Sequence, residues 1–155
     1  MKKIPRIIHY CWFGGRPLPQ KSQDYINTWR EKCPNYTFME HNENNFDASK
    51  YAYTREAYQK EKWAFVSDVC RLEKLYEFGG IYIDVNTTVL KSFDDLLDNE
   101  MFVGFEQDNL IAGCFFGAKK NHQFIKTIID DYYSKEHLIN SAGEINFRTI
   151  NNQKH

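Results

Sequence analysis

The chain has 155 residues, of which 42% are hydrophobic and 26% charged, and its formal net charge is −1. A chain of this length is expected to form one domain, residues 1–155, and its near-neutral charge gives no reason to expect nucleic acid as a partner. No apolar run approaches the ~18 residues that a membrane-spanning helix needs, so no membrane span is predicted.

The N-terminus and the cysteines indicate the cellular compartment in which the protein is expected. The start MKKIPRIIHYCWFGG is basic, but its apolar run is short and interrupted by His9, and no small-residue cleavage site follows. The four cysteines are widely spaced and include no CxxC pair, so neither a zinc site nor a disulfide framework is predicted. We therefore expect a cytoplasmic protein.

The first half of the chain alternates between strand-like and helix-like patterns. Apolar periodicity predicts a strand over residues 4–13, a helix over 20–32, a strand over 36–41 and a long helix over 55–78. Gly79 follows the long helix, and glycine is the residue type that commonly ends helices.

The second half continues the alternation. Its apolar periodicity predicts a strand over residues 81–85, a helix to about 98, strands over 101–105 and 111–116, and a helix over 121–133. No element is predicted for the polar tail, residues 145–155. Strands that alternate with helices predict an α/β domain with a mostly parallel central sheet.

The strand after the double glycine carries the most informative polar residues. Alternation along this strand places Tyr82, Asp84 and Asn86 on one face. Ligands of open α/β sheets bind beyond the carboxyl ends of strands, and an oxygen-donor pair suits Mg²⁺ or Mn²⁺ shared with phosphates. The alternative is the tail of an edge strand whose polar residues meet water. The D-x-N pattern alone does not decide between them.

Three further residues are candidates for ligand contacts. Asp68 and Arg71 lie three positions apart on one helical face, where they form either a local ion pair or a pair of groups oriented toward sugar hydroxyls. Trp12 is either a core side chain or a stacking platform for a nucleobase. Residues 1–30 hold six Lys/Arg and one acid, a bias that suits an anionic ligand or simply solvated side chains.

Three blocks in order, IPRIIHYCWFGG, FVSDVCRLEKLYEFGGIYIDVN and AGCFFGAKKNHQF, resemble glycosyltransferase family 32, the D-x-D sugar transferases related to clostridial toxin glucosyltransferase domains. The resemblance spans residues 5–126 and is most specific in S-D-x-x-R and L-Y-x-x-G-G-I-Y-x-D. It implies a single GT-A-like domain with Mn²⁺ or Mg²⁺ as cofactor. It also implies that a hexose is transferred from a UDP- or GDP-sugar to a saccharide acceptor, with retention, in surface polysaccharide biosynthesis.

The resemblance also assigns roles to residues at the donor site. By position, Trp12 would stack on the base of the nucleotide. Asp68 and Arg71 would hold the donor sugar. Tyr82 and Asp84 would contact the ribose and the sugar region. The metal would neutralise charge that builds up on the leaving diphosphate.

Two departures from the family pattern qualify these expectations. Asn86 stands where the family has the second aspartate, a direct metal ligand beside Asp84, so metal affinity should fall with the lost charge. The family's late segment supplies another metal ligand and part of the acceptor pocket, and that C-terminal part is expected to be missing here. Three hypotheses stay open: an active metal-dependent glycosyltransferase, a non-catalytic or degenerate nucleotide-sugar-binding domain, and an unrelated Mg²⁺-dependent phosphotransfer or hydrolase domain.

Overall fold

A computed structural model describes residues 2–145, so the predicted polar tail lies, except for Ile145, outside the described residues. The strands are β1 (Ile7–Cys11), β2 (Thr37–His41), β3 (Gly80–Ile83), β4 (Met101–Gln107) and β5 (Leu110–Ala118). They form one sheet in the order β2-β1-β3-β5-β4. Because β3 is the central strand, the edge-strand explanation for the polar residues that follow it is wrong.

The sheet is mixed, and the prediction of a mostly parallel sheet is therefore wrong. Strand β1 pairs in parallel with β2 and β3, whereas β5 pairs antiparallel with both β3 and β4. The reason is the connection between β4 and β5, which is a turn at Asp108 and Asn109. A parallel pair needs a crossover of a dozen or more residues, so two strands joined by such a short turn must run antiparallel.

The helices are α1 (Gln20–Lys32), α2 (Ala52–Gln59), α3 (Trp63–Phe78) and α4 (Gln123–Ile128), and α4 continues into a π-helical turn at Ile129–Tyr133. The bounds predicted for the helix over 20–32 are confirmed. The single helix predicted over 55–78 is two helices, and Glu61 has a positive φ of 53° between them. No helix within residues 2–145 is both long and apolar enough to cross a membrane.

The helix predicted before residue 98 is only a 3-10 turn at Asp94–Leu96. Ser92 Oγ accepts a hydrogen bond from Asp94 N at 3.2 Å, and Asp94 Oδ1 accepts from Tyr36 Oη at 2.7 Å. Short polar side chains that bond to nearby backbone or to other elements compete with helix formation and favour turns. The segment between β3 and β4 is consequently a loop that lies against the body of the protein.

Each face of the sheet covers a separate hydrophobic core. Helices α2, α3 and α4 pack on one face, in a core centred on α3 residues such as Val69, Cys70 and Leu75. Helix α1 packs on the other, where Ile26 and Trp29 meet side chains of β1 and β3. All four cysteines are free, and only Cys114 among them is partly exposed. The result is a three-layer α/β/α arrangement with β1 and β3 at its centre.

Helix α1 also supports the loop that follows β3. Trp29 Nε1 donates to the carbonyl oxygen of Thr87 at 2.7 Å, and Val89 N donates to Thr28 Oγ1 at 3.1 Å. Buried polar groups are costly unless they are paired, so these bonds fix the path of the chain just beyond the carboxyl end of the central strand. Ligands bind at this end of the strands in open α/β sheets.

Candidate functional site

A cleft of about 660 Å³ opens at the carboxyl ends of β1 and β3. All six residues that the sequence singled out for binding line it: Trp12, Asp68, Arg71, Tyr82, Asp84 and Asn86. They come from three separate stretches of chain: the end of β1, the middle of α3, and the end of β3 with the turn after it. The structure therefore brings the predicted residues together, and their roles toward a ligand stay predictions.

The acid and the amide after β3 lie in a turn rather than on a strand. Strand β3 ends at Ile83, and the next backbone N–H, that of Asp84, donates to Cys114 O at 2.9 Å. Thr87 N then donates to Asp84 O at 3.1 Å, which closes the turn. Tyr82 and Asp84 lie on one side of the chain, as strand alternation predicts, because Tyr82 Oη reaches Asp84 Oδ1, whereas Asn86 follows in the turn. All three line the cleft, and so does Val85.

Tyr82 holds the Asp84 carboxylate in place. Its hydroxyl donates to Asp84 Oδ1 at 2.6 Å, and the Arg71 guanidinium lies 5.5 Å from the centre of its ring. Burial and the nearby Asp84 charge raise the pKa of Tyr82, so the phenol stays a hydrogen-bond donor. Because Tyr82 is only 2% exposed, it offers little surface to a ligand and acts mainly on Asp84.

Asp68 and Arg71 form the ion pair that their spacing suggests. Arg71 Nη2 donates to Asp68 Oδ1 at 2.7 Å, and Arg71 Nη1 donates to the carbonyl oxygen of Gly113 in β5 at 2.6 Å. Burial raises the pKa of Asp68 to about 6, an effect that Arg71 opposes and the Asp84 carboxylate adds to. The pair thus joins α3 to the β4–β5 hairpin at the wall of the cleft.

Trp12 is a partly exposed side chain at the cleft, so it is not a core tryptophan. Its backbone N–H donates to His41 O at 2.9 Å, which continues the β1–β2 ladder by one bond. Its indole Nε1 donates to Arg16 O at 2.7 Å and so closes the loop that contains Gly14 and Gly15. This loop brings Arg16 to the cleft.

Sequence reasoning missed other residues that line the cleft, among them Arg16 and Trp63. Arg16 was one of several basic residues near the N-terminus, and only the fold of the loop selects it. Trp63 is apolar and looks like a core residue of its helix, but it lies four and eight positions before Ser67 and Arg71, which also line the cleft. That spacing puts all three residues on one helical face, so the sequence did contain a signal that Trp63 faces the cleft. A Cβ atom on Gly14 would lie 2.8 Å from Trp63 Cε2, so the loop and the helix meet closely.

The oxygen donors at the turn suit a divalent metal that shares its ligands with a phosphate. Across residues 2–145, no three His, Cys, Asp or Glu side chains are grouped so as to hold a metal ion. Asp84 offers a carboxylate and Asn86 an exposed amide oxygen. Mg²⁺ is usually bound through one or two carboxylates together with substrate phosphates and water, and Mn²⁺ prefers similar ligands. The two residues fit such a partial site and do not form a protein-only cage.

Comparisons with known proteins agree with this geometry. The family model described as "Glycosyltransferase sugar-binding region containing DXD motif" matches residues 19–103. Inositol phosphoceramide mannosyltransferase 1 of Schizosaccharomyces pombe is 25% identical over 88% of this chain and 45% of its own length. Lactosylceramide 4-alpha-galactosyltransferase of Mus musculus is 27% identical over 55% of this chain and 23% of its own. The chain thus spans less than half the length of these relatives.

A solved structure supports the same fold. The structure titled "PaToxG Glycosyltransferase" superposes with a TM-score of 0.68 at 19% identity, over 83% of this chain and 60% of that one. The prediction of an α/β glycosyltransferase fold is confirmed by this match, although the central sheet is mixed. The matched family region covers more than half of the chain and includes the helix and the turn that line the cleft. The chain therefore belongs to the family of glycosyltransferase sugar-binding regions that contain a DXD motif.

Proposed function

We propose that this chain binds a nucleotide-sugar donor, of UDP or GDP type, in the cleft and transfers its hexose to a saccharide acceptor with retention. The observation that carries the proposal is the meeting of six predicted side chains around one cleft in a member of this family. The names of both curated relatives describe ceramide-based lipids, which supports a saccharide acceptor linked to a lipid. A role in surface polysaccharide biosynthesis and a cytoplasmic location stay predictions.

Each wall of the cleft has a distinct part in donor binding. Trp12 presents an aromatic face for the base, and such stacking contributes roughly 1–3 kcal/mol per base. Arg16 supplies positive charge for the diphosphate. Arg71 is already bonded to Asp68 and Gly113, so it orients the Asp68 carboxylate toward the hydroxyls of the donor sugar. Tyr82 orients Asp84 in the same way.

Asp84 and Asn86 would hold the divalent metal that the family motif implies, Mn²⁺ or Mg²⁺. When bound, that metal supplies a Lewis acid that neutralises charge on the departing diphosphate. The residues of the chain fix the position of the donor, and the closed turn after β3 keeps the carboxylate at the carboxyl end of the central strand. Positioning of this kind is worth several kcal/mol in transfer reactions.

Donor binding is testable by calorimetry with UDP-glucose, UDP-galactose and GDP-mannose, each with and without Mn²⁺. We expect one of them to bind only when Mn²⁺ is present. Trp12→Ala should weaken that binding roughly 5- to 150-fold, because the base loses its stacking partner. Phe124→Ala is the matched control, since Phe124 is a 55% exposed aromatic on α4 and does not line the cleft.

The outcomes separate the hypotheses. Binding that is equally tight without a metal would favour a non-catalytic nucleotide-sugar-binding domain. If no donor binds to a folded chain, the proposed function is wrong. If a bound donor releases its hexose only in the presence of a saccharide, the reaction is a transfer, and hydrolysis alone would favour the hydrolase hypothesis.

Asn86→Asp is expected to tighten Mn²⁺ binding roughly tenfold, because a carboxylate restores one negative charge beside Asp84. Asn86 is exposed, so the change should leave the stability of the fold within about 0.5 kcal/mol. The measurement is a Mn²⁺ titration followed by electron paramagnetic resonance of free Mn²⁺ in the presence of UDP or GDP. Asn99→Asp, at an exposed position away from the cleft, is the control. An unchanged affinity in Asn86→Asp would remove this position from the metal site.

A further inference from the structure

A second, mainly apolar groove of about 500 Å³ lies on the other side of the turn after β3. Its walls come from the loop that follows the turn and from the β4–β5 hairpin. Phe93 and Phe115 form an aromatic wall, with their ring centres 5.2 Å apart. The donor-binding proposal does not use this groove.

The rim of this groove carries large apolar side chains that are exposed to solvent. Leu90 is 82% exposed and Phe105 is 69% exposed, and both line the groove. Ile111, 60% exposed, is the cross-strand partner of Phe105 in the hairpin and lies beside it. Single exposed apolar residues are common, but three around one apolar groove mark an interaction surface.

The groove and the donor cleft share a wall. Asp84, Val85 and Asn86 line the cleft, and the next two residues, Thr87 and Thr88, line the groove. A molecule in the groove therefore reaches the turn that faces the donor sugar. Both threonines lie at this end of the groove, whereas its apolar residues come from the rest of the loop and from the hairpin, and the loop also contributes Lys91, Ser92 and Asp95. The groove thus has two threonines at the turn and a mainly apolar lining beyond it.

The described chain does not itself cover the groove. The segment after α4 packs on the opposite face of the sheet, where its residues Ile139 and Ile145 contact the hydrophobic core. Glu56 of α2 fixes this segment, because its Oε1 is 2.7 Å from His137 Nδ1 and its Oε2 accepts from Ile139 N at 2.9 Å. The groove walls Ile83, Phe93 and Phe115 belong to the other core.

We propose that this groove binds the hydrocarbon part of a lipid-linked saccharide acceptor, whose sugar lies against Thr87 and Thr88 next to the donor. This inference rests on the proposed function and adds the binding surface for the acceptor. Two threonines beside the transferred hexose and a mainly apolar lining beyond them match a molecule that has a sugar at one end and a hydrocarbon at the other. A free sugar would leave Leu90 and Phe105 without a partner.

The test uses n-dodecyl β-maltoside below its critical micelle concentration as the amphiphilic glycoside and maltose as its sugar alone. The full chain, labelled on its methyl groups, is titrated with each compound and followed by NMR. We expect saturable shifts of the Leu90 and Ile111 methyls with the dodecyl compound and none at equal concentrations of maltose. Phe105→Ser should weaken binding at least tenfold, since burial of a phenylalanine ring is lost. Leu90→Ser is a second variant in the same groove.

Phe124→Ser is the matched control, because it makes the same substitution at an exposed phenylalanine outside the groove. Equal weakening by Phe105→Ser and Phe124→Ser would overturn the inference. Groove shifts that grow with protein concentration in the absence of any glycoside would overturn it in favour of a second copy of the chain. UDP and GDP with Mn²⁺ are titrated into the same sample, with Val85 as reporter of the donor cleft. If a nucleotide binds and the dodecyl compound does not, only the groove inference fails; if neither binds, the proposed function fails as well.

Discussion

Replacing Arg71 with methionine is expected to lower the free energy of unfolding by about 3 kcal/mol, because it leaves a poorly solvated carboxylate without its partner. The Asp68 and Arg71 side chains are only 15% and 17% exposed. Arg71→Met keeps most of the side-chain volume but removes both hydrogen bonds, to Asp68 Oδ1 and to Gly113 O. The remaining Asp68 carboxylate would then face the Asp84 charge alone.

Unfolding in urea, followed by fluorescence and circular dichroism, measures this loss. The control is the double variant Asp68→Leu/Arg71→Met, which removes both charges together. Replacing a whole buried ion pair with apolar residues is often neutral, so the double variant should recover most of the stability. If Arg71→Met alone costs less than about 1 kcal/mol, the pair behaves like a surface ion pair and does not hold the hairpin to α3.

Acidification is expected to destabilise the protein because of a buried pair of histidines, His9 of β1 and His41 of β2. Neither is exposed, and His9 Nδ1 lies 2.8 Å from His41 Nε2. His9 Nε2 lies 2.8 Å from the carbonyl oxygen of Gly79, which can only accept, so this nitrogen carries the proton of His9. His9 Nδ1 must then accept from His41 Nε2–H. When both histidines are neutral, these contacts allow one arrangement of their protons.

The direction of the pH effect follows from the pKa values. Burial, with a smaller contribution from Lys74, lowers the pKa of His9 from 6.5 to about 4, although the bond to Gly79 opposes the change. Burial, His9 and Lys74 lower the pKa of His41 to about 3. Both folded-state pKa values lie below the unfolded one, so their stabilisation is complete above pH 6.5 and declines as the pH falls toward 4.

Between pH 7.5 and 4.5 we expect a net loss of about 3 kcal/mol in the free energy of unfolding. At roughly 1.4 kcal/mol per proton and pH unit, the two histidines cost about 5 kcal/mol. Asp68 acts in the opposite direction, because its folded pKa of about 6 lies above its ordinary value. Protonation of Asp68 therefore adds about 2 kcal/mol to the free energy of unfolding over the same pH range. Urea unfolding at both pH values measures the sum.

The histidine contribution can be isolated by two further measurements. Asp68→Asn should steepen the loss toward the full effect of the histidines. NMR of the imidazole nitrogens should show His9 and His41 neutral in the folded protein at pH 5. A pair that titrates near pH 6.5 in the folded state, or a stability independent of pH over this range, would contradict the prediction.

Local patterns in the sequence predicted α1, the two strands of the hairpin and six of the residues that line the cleft. Each depends on short-range spacing: the periodicity of residues 20–32, the strand patterns over 101–105 and 111–116, and the three positions between Asp68 and Arg71. The predictions that were wrong concern features that depend on contacts between distant segments, or on side chains that compete with the backbone for hydrogen bonds. The antiparallel pairing of β3 with β5 is such a contact, and so is the meeting of Trp63 with Gly14.

The histidine pair illustrates the same limit. His9 and His41 are 32 positions apart, and no spacing rule connects them. They meet because β1 and β2 pair in parallel, with Cys11 opposite His41. Because the order of strands in a sheet is set by the whole chain, polar contacts across it become predictable only once that order is known.

The partial exposure of Cys114 gives the protein a natural attachment point for a spectroscopic probe. The other three cysteines are buried, so a thiol-reactive fluorophore should label one position without any engineered substitution. Burial raises the pKa of the Cys114 thiol, so labelling calls for a mildly alkaline buffer. The backbone carbonyl of this residue accepts from Asp84 N, and Cys114 is one of the residues that line the apolar groove. A dye at this position would sit between the two proposed substrates and could report the arrival of each by its emission.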